Sequence, residues 1–175
     1  MRKLTHEEIV GRQFKASMQK RAPVSVVLDN IRSLNNVGAI FRSADGAGIE
    51  KIWLCGITGY PPQGDISKTA LGAEESVAWA YARSAMDVIH DHRARGYQIL
   101  LLEQAEGSIP YDEFVPRSPV CLVVGNEVDG VADELVRLAD AAIEIPMCGV
   151  KNSLNVAVAF GVVAFRLTRA FDIRA

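Results

Sequence analysis

The sequence predicts an α/β domain on a mostly parallel sheet flanked by helices. Two observations carry that prediction. Five runs, VSVVLD (24–29), KIWLCG (51–56), YQILLLE (97–103), VCLVVG (120–125) and AIEIPM (142–147), are hydrophobic almost throughout, as strands covered on both faces must be. Between most of them stand segments with helical patterning, and strand–helix alternation makes parallel units.

In chain order, THEEIVGRQFKASMQK (5–20) reads as an amphipathic helix. Thr5 caps it with Glu8 three residues on, and Ile9, Phe14 and Met18 give a partial apolar side. After the first strand, NIRSLNN (30–36) is a loop, and a helix opens at Asn35 or Asn36 and ends near Gly46 to Gly48. ITGYPPQGDISK (57–68) is turn chemistry. SAMDVIHDHRARG (84–96) is a helix stopped by Gly96, and VADELVRLAD (131–140) is a short amphipathic one. The last segment, from 156 onward, is a very apolar helix.

The chain of 175 residues reads as one domain, 1–175, with 1–21 as a basic helical extension. It is 49% hydrophobic and 23% charged, which argues against long disorder. A net charge of -2 gives no global basic signature, so an anionic partner must meet a local patch. Cys55, Cys121 and Cys148 form no CxxC pair, so no metal site or disulfide framework is expected. Free thiols fit a reducing cytosol. The N-terminus lacks the apolar core of a signal peptide, and the run 156–165 falls short of the roughly 20 residues that span a bilayer. A cytoplasmic protein with no membrane partner is expected.

Phosphate-loop, dinucleotide and nucleophile-elbow motifs are absent from the sequence. His90 and His92 point to different sides of a helix, so they are poor metal ligands and read as solvated. Polar residues cluster after strands, where ligands sit in such sheets. Asn36 and Arg42 read as a cap and a surface Arg, or as a planar fork that clamps an anion. VVGNEVDGV (123–131) reads as a turn, or as close backbone approach to a ligand at Gly125 with Glu127 accepting hydrogen bonds. Cys148 reads as a small hydrophobe, with no His nearby in sequence to make it a nucleophile.

Taken together, NNVGAIFRSADGAG, VVGNEVDGV and IPMCGVKNSLNVAVAFGVVAF resemble the three ordered motifs of the TrmH/SpoU branch of the SPOUT RNA methyltransferases. SKTALGAEESVAW (67–79) also resembles a family segment. The resemblance spans roughly 24–168. It implies a carboxyl-terminal trefoil knot, S-adenosylmethionine as methyl donor, and a homodimer with each active site at the subunit interface. The implied reaction methylates a ribose 2′-hydroxyl of tRNA or rRNA. By similarity, Asn36, Arg42, Glu127, Ser153 and Asn155 are catalytic. Gly125, Ile145 and Leu154 hold the cofactor through their backbones, and Met147 lines the adenine pocket. NVAVA stands where the family often has a second Ser, and the separate RNA-binding domain of many relatives is not expected here.

Two rivals stay open: a non-catalytic RNA-binding or assembly protein on the same fold, and a base methyltransferase. The role of Arg42 also stays open. The family proposal makes it the proton acceptor, but a guanidinium is a poor base at neutral pH, and a phosphate or ribose clamp is physically easier. The segment 1–21 carries Arg2, Lys3, Arg12, Lys15, Lys20 and Arg21 against Glu7 and Glu8. Arg12, Lys15, Lys20 and Arg21 are therefore candidate RNA phosphate contacts. The alternative is a solvated helix face held to the domain by Ile9, Phe14 and Met18.

Overall fold

The structure is a computed structural model; it describes residues 1–18 and 20–171, and the side chains of 15–17 lie outside the description. Seven strands form one parallel sheet: β1 (Ala22–Asp29), β2 (Ile49–Cys55), β3 (Ala78–Ala82), β4 (Gln98–Leu102), β5 (Ile109–Pro110), β6 (Val120–Val124) and β7 (Ala141–Glu144). The order across the sheet is β3-β2-β1-β6-β4-β7-β5. The helices are α1 (His6–Ser17), α2 (Leu34–Ala47), α3 (Gly64–Ala70), α4 (Ala73–Ser76), α5 (Ala85–Ala94), α6 (Asp133–Val136) and α7 (Val156–Thr168).

The period-two geometry of strands divides the apolar residues between two faces. Val24, Val26 and Leu28 of β1 meet Val37, Ile40 and Phe41 of α2 and Phe160, Val163 and Leu167 of α7. Val27, Leu101 and Val123 face the other way, onto Val88 and Ile89 of α5 and Leu135 of α6. Both faces are covered, which explains why the strand sequences are hydrophobic without alternation.

From β1 the chain winds outward through β2 to β3 and then resumes on the far side of β1. The loop leaving β1 is hydrogen-bonded to the loop leaving β6, and the main cavity opens at the carboxyl ends of β4, β6 and β7.

Several expectations change. Gly64–Ala70, which begins inside the stretch read as turn chemistry, is helical, and β3 and β5 add strands that the hydrophobic pattern does not announce. His92 is not solvated: it is buried, its Nδ1 donates to Val88 O at 2.8 Å, and its ring meets Trp53 and Tyr97 edge to face. The capping box of α1 is present, with Thr5 N donating to Glu8 Oε2 at 2.8 Å and Glu8 N to Thr5 Oγ1 at 3.3 Å. Arg2, and then the Thr5 amide, hold the Glu8 carboxyl down at about 2. The apolar side of α1 is not buried, however: Ile9, Phe14 and Met18 are all exposed. Among the described residues no helix is long and apolar enough to cross a membrane.

Candidate active site

The site begins with the cap of α2. Ser33 Oγ accepts from Asn36 N at 3.3 Å, so Ser33 is the N-cap and Asn36 lies inside the first turn. Asn36 is thereby released from capping. Its Nδ2 donates to Glu127 Oε1 at 2.9 Å, and its Oδ1 accepts from Asn155 Nδ2 at 3.1 Å. Asn155 caps α7: its Oδ1 accepts from Ala157 N at 3.0 Å and Val158 N at 3.4 Å. The direction of this relay follows from its ends. Helix amides fix the oxygen of Asn155, which leaves its NH₂ for Asn36, whose own NH₂ must then face the carboxylate.

Glu127 is held below the usual carboxylate range. Burial alone would raise it, but the bond from Asn36 and those from backbone amides, including Arg32 N, outweigh that. A tight loop presents it. Asn126 and Gly130 exchange both backbone hydrogen bonds at 3.0 Å, and Asn126 Oδ1 accepts from Val128 N and Asp129 N. A Cβ on Gly125 would collide with the Gly130 carbonyl and the Val131 amide, so the glycine is required by loop closure. Glu103, at the end of β4, holds the loop from below by accepting from Val131 N at 3.0 Å.

Behind the relay lies a cavity of about 420 Å³. Gly125, Ile145, Met147 and Leu154 line it, as do Glu127, Ser153 and Asn155. Gln104 Nε2 donates to Asn152 O at 2.6 Å and ties the loop after β4 to the loop before α7.

The geometry of one copy does not gather every candidate. Arg42 is exposed, lines neither this cavity nor the groove beside it, and makes no hydrogen bond or ion pair among the described residues. That groove runs between α2 and α7 from Asn36 and Asn155 to Phe165. Arg12 and Lys20 are exposed, while the side chain of Lys15 lies outside the described residues. Arg21 is committed elsewhere: its guanidinium donates to Ile49 O at 3.1 Å, and to Asp45 Oδ1 and Ser76 O at 3.0 Å.

The SpoU rRNA Methylase family model matches residues 23–165. The chain belongs to this family. A tRNA (guanosine(18)-2′-O)-methyltransferase of Aquifex aeolicus is 30% identical over 97% of this chain and 80% of its own length. The solved structure of the A. aeolicus TrmH/SpoU tRNA modifying enzyme superposes with a TM-score of 0.80, at 28% identity, over 93% of this chain and 84% of that one. An AdoMet-bound rRNA methyltransferase from Sinorhizobium meliloti gives 0.79 at 34% identity, over 87% of this chain and 57% of that one.

Within this SpoU chain, Glu103 and Gln104 are the site residues that sequence reasoning missed. A signal was available, because YQILLLE passes from aliphatic to polar where a strand's carboxyl end meets ligand. Of the thiols, Cys148 is exposed in the loop beside Met147, while burial pushes Cys55 and Cys121 up to about 12.

Proposed function

We infer that this chain is an S-adenosylmethionine-dependent RNA methyltransferase acting on a ribose 2′-hydroxyl of tRNA or rRNA. The observation that carries the reading is the Glu127–Asn36–Asn155 relay. It joins residues 91 and 119 positions apart into one unit at the mouth of the cavity. The names borne by relatives put ribose methylation ahead of base methylation and of a non-catalytic role.

The cavity suits the cofactor. Its volume of about 420 Å³ is within the usual range for small-molecule sites. Leu102, Val124, Ile145 and Met147 give an apolar wall for adenine, and Glu103, Glu127 and Glu144 surround it with carboxylate suited to a cationic ligand. Bound there, S-adenosylmethionine supplies a methyl on a sulfonium, already activated toward an oxygen nucleophile.

The protein's task is therefore chiefly alignment, which supplies at most about 7–11 kcal/mol of barrier lowering. Glu127 locks Asn36, Asn36 locks Asn155, and Asn155 with Ser153 orients the ribose. A guanidinium is a planar cation with donors only, so Arg42 clamps phosphate and stabilises the developing alkoxide.

The working unit is a homodimer. Val158, Val162 and Phe165 leave the α2–α7 groove apolar and open, and a second copy would cover it. Arg42 lies about 100° around α2 from Ser43 of that groove. A site shared between two copies accounts for its separation from the relay of its own chain. Arg12, Lys15 and Lys20 would meet RNA phosphates in the cytoplasm; Arg21, with its donors engaged, drops out of that set.

The test is transfer from tritiated S-adenosylmethionine to unmodified tRNA and rRNA, followed by mass spectrometry of the nucleosides. 2′-O-methylnucleosides are expected, and a base-methylated product overturns the reading. Arg42→Ala should abolish transfer and leave S-adenosylhomocysteine affinity near wild type; wild-type turnover in that variant removes Arg42 from the mechanism.

A further inference from the structure

The loop after β2 and the edge strand β3 expose an aromatic surface to which methyl transfer assigns no task. Tyr60 stacks on Trp79, with ring centroids 6.4 Å apart and planes at 28°, and lies 5.0 Å from Tyr81. Trp79 and Tyr81 are two apart in β3 and share one face of it. Tyr60 and Tyr81 are each 45% exposed, and Ile57 beside them is 66% exposed.

These rings are held in place. Tyr81 Oη donates to Gly56 O at 3.1 Å, and Gln63 Nε2 donates to Tyr60 O at 3.1 Å. Thr58, inside the same loop, is buried; its Oγ1 donates to Leu28 O at 3.0 Å and accepts from Ile31 N at 2.9 Å. The surface is also tied to the active site. Asn30 accepts from Ile57 N through Oδ1 at 3.1 Å and from Asn126 Nδ2 through its carbonyl at 2.8 Å, next to Glu127. A Cβ on Gly59 would collide with Leu34, two residues before Asn36. Arg83, the first residue beyond β3, is exposed and has no ion pair among the described residues.

An exposed, fixed pair of phenol rings with an unengaged guanidinium at the strand's end matches the way unpaired nucleotides are held: stacking for the base, a cation for its phosphate. The α2–α7 groove, by contrast, is lined mainly by small and aliphatic side chains, with Phe165 its one aromatic ring. We propose that Tyr60 and Tyr81, backed by Trp79, form a stacking platform for an unpaired base of the RNA near the methylated nucleotide, with Arg83 meeting its phosphate. This rests on the RNA methyltransferase reading.

The experiment uses the full chain and a short single-stranded oligoribonucleotide carrying 2-aminopurine, with the matching duplex as control. Wild-type protein should quench 2-aminopurine in the single strand and not in the duplex; no quenching overturns the platform. The Tyr60→Ala/Tyr81→Ala variant should bind the single strand about fivefold or more weakly, with unchanged thermal stabilisation by S-adenosylhomocysteine. Tyr60→Phe/Tyr81→Phe should bind like wild type, since stacking needs no hydroxyl. Unchanged affinity in the Ala variant overturns the proposal, as does a Phe variant that binds as poorly as the Ala variant. A change of mass in light scattering at wild-type RNA affinity also overturns it, by assigning the surface to a protein partner. Failure of wild type to methylate any RNA refutes the activity instead, and oligonucleotide binding judges the platform apart from it.

Discussion

Replacing Asn155 by Ala removes two sets of hydrogen bonds, and replacing it by Ser removes one. The Oδ1 of Asn155 caps α7 through Ala157 N and Val158 N, and its Nδ2 donates to Asn36. Losing an N-cap of this kind costs about 0.5–2 kcal/mol, typically near 1. For a chain of this length each kcal/mol shifts Tm by about 2–4 °C. Asn155→Ala should therefore melt about 2–4 °C lower than wild type. Asn155→Ser keeps a capping oxygen of equal rank and should melt within about 1 °C of wild type by the same conversion. Its hydroxyl is a bond shorter than the amide and cannot also reach Asn36. If the relay aligns the ribose, both variants should lose about tenfold or more in turnover, which corresponds to about 1.4 kcal/mol of barrier. Differential scanning fluorimetry and tritiated methyl transfer read the two quantities separately. A Ser variant that regains both stability and turnover reduces Asn155 to a cap and refutes the relay's part in catalysis.

Phe165→Glu puts a charge into the α2–α7 groove and should give a particle of 19.0 kDa by light scattering, where wild type should give twice that; a monomeric wild type at micromolar concentration contradicts the shared site. Because Glu127 is held below its ordinary range, its native interactions add stability that is complete above the free carboxylate's pKa of about 4.3 and is lost as pH falls through the lower native value. The Tm gap between wild type and Glu127→Gln should accordingly shrink on acidification from pH 7 to about 3, and a constant gap refutes the charge-dependent contact. Neutralising Arg12, Lys15 and Lys20 together should lower the salt slope of RNA binding by about 0.7–0.9 per lost contact and spare S-adenosylhomocysteine binding; an unchanged slope removes the extension from the RNA interface.

β1, β2, β4, β6 and β7 are legible in the sequence because helices cover both faces of the sheet, and only long aliphatic runs survive there. β3 is not: AWAYA sits at the sheet edge, half-buried and without a β-branched residue. β5 is two residues long and contains Pro110. The helix Gly64–Ala70 hides behind PPQG, whose local chemistry reads as a turn, and its N-cap Gln63 makes no side-chain capping bond. The spacing of His90 and His92 correctly separates them, but it follows that one of the two can turn inward, as His92 does. Arg21 looks like part of a basic patch because its partners lie 24, 28 and 55 residues away. In the site, Asn36, Glu127, Ser153 and Asn155 are legible as members of motifs. Their mutual bonds are not, because sequence order carries no information about which loops the sheet brings together.

The one-way polarity of the relay also bears on how these positions can evolve. Asn36 is oriented by Glu127 on one side and by Asn155 on the other, so its contribution depends on both. Once Asn36 is lost, Glu127 and Asn155 keep only their separate duties, the first with backbone amides and the second as a cap. A second substitution among them should then cost less in turnover than it would alone. Turnover therefore constrains the three positions as a set, while the cap of α7 keeps a separate hold on Asn155 through stability.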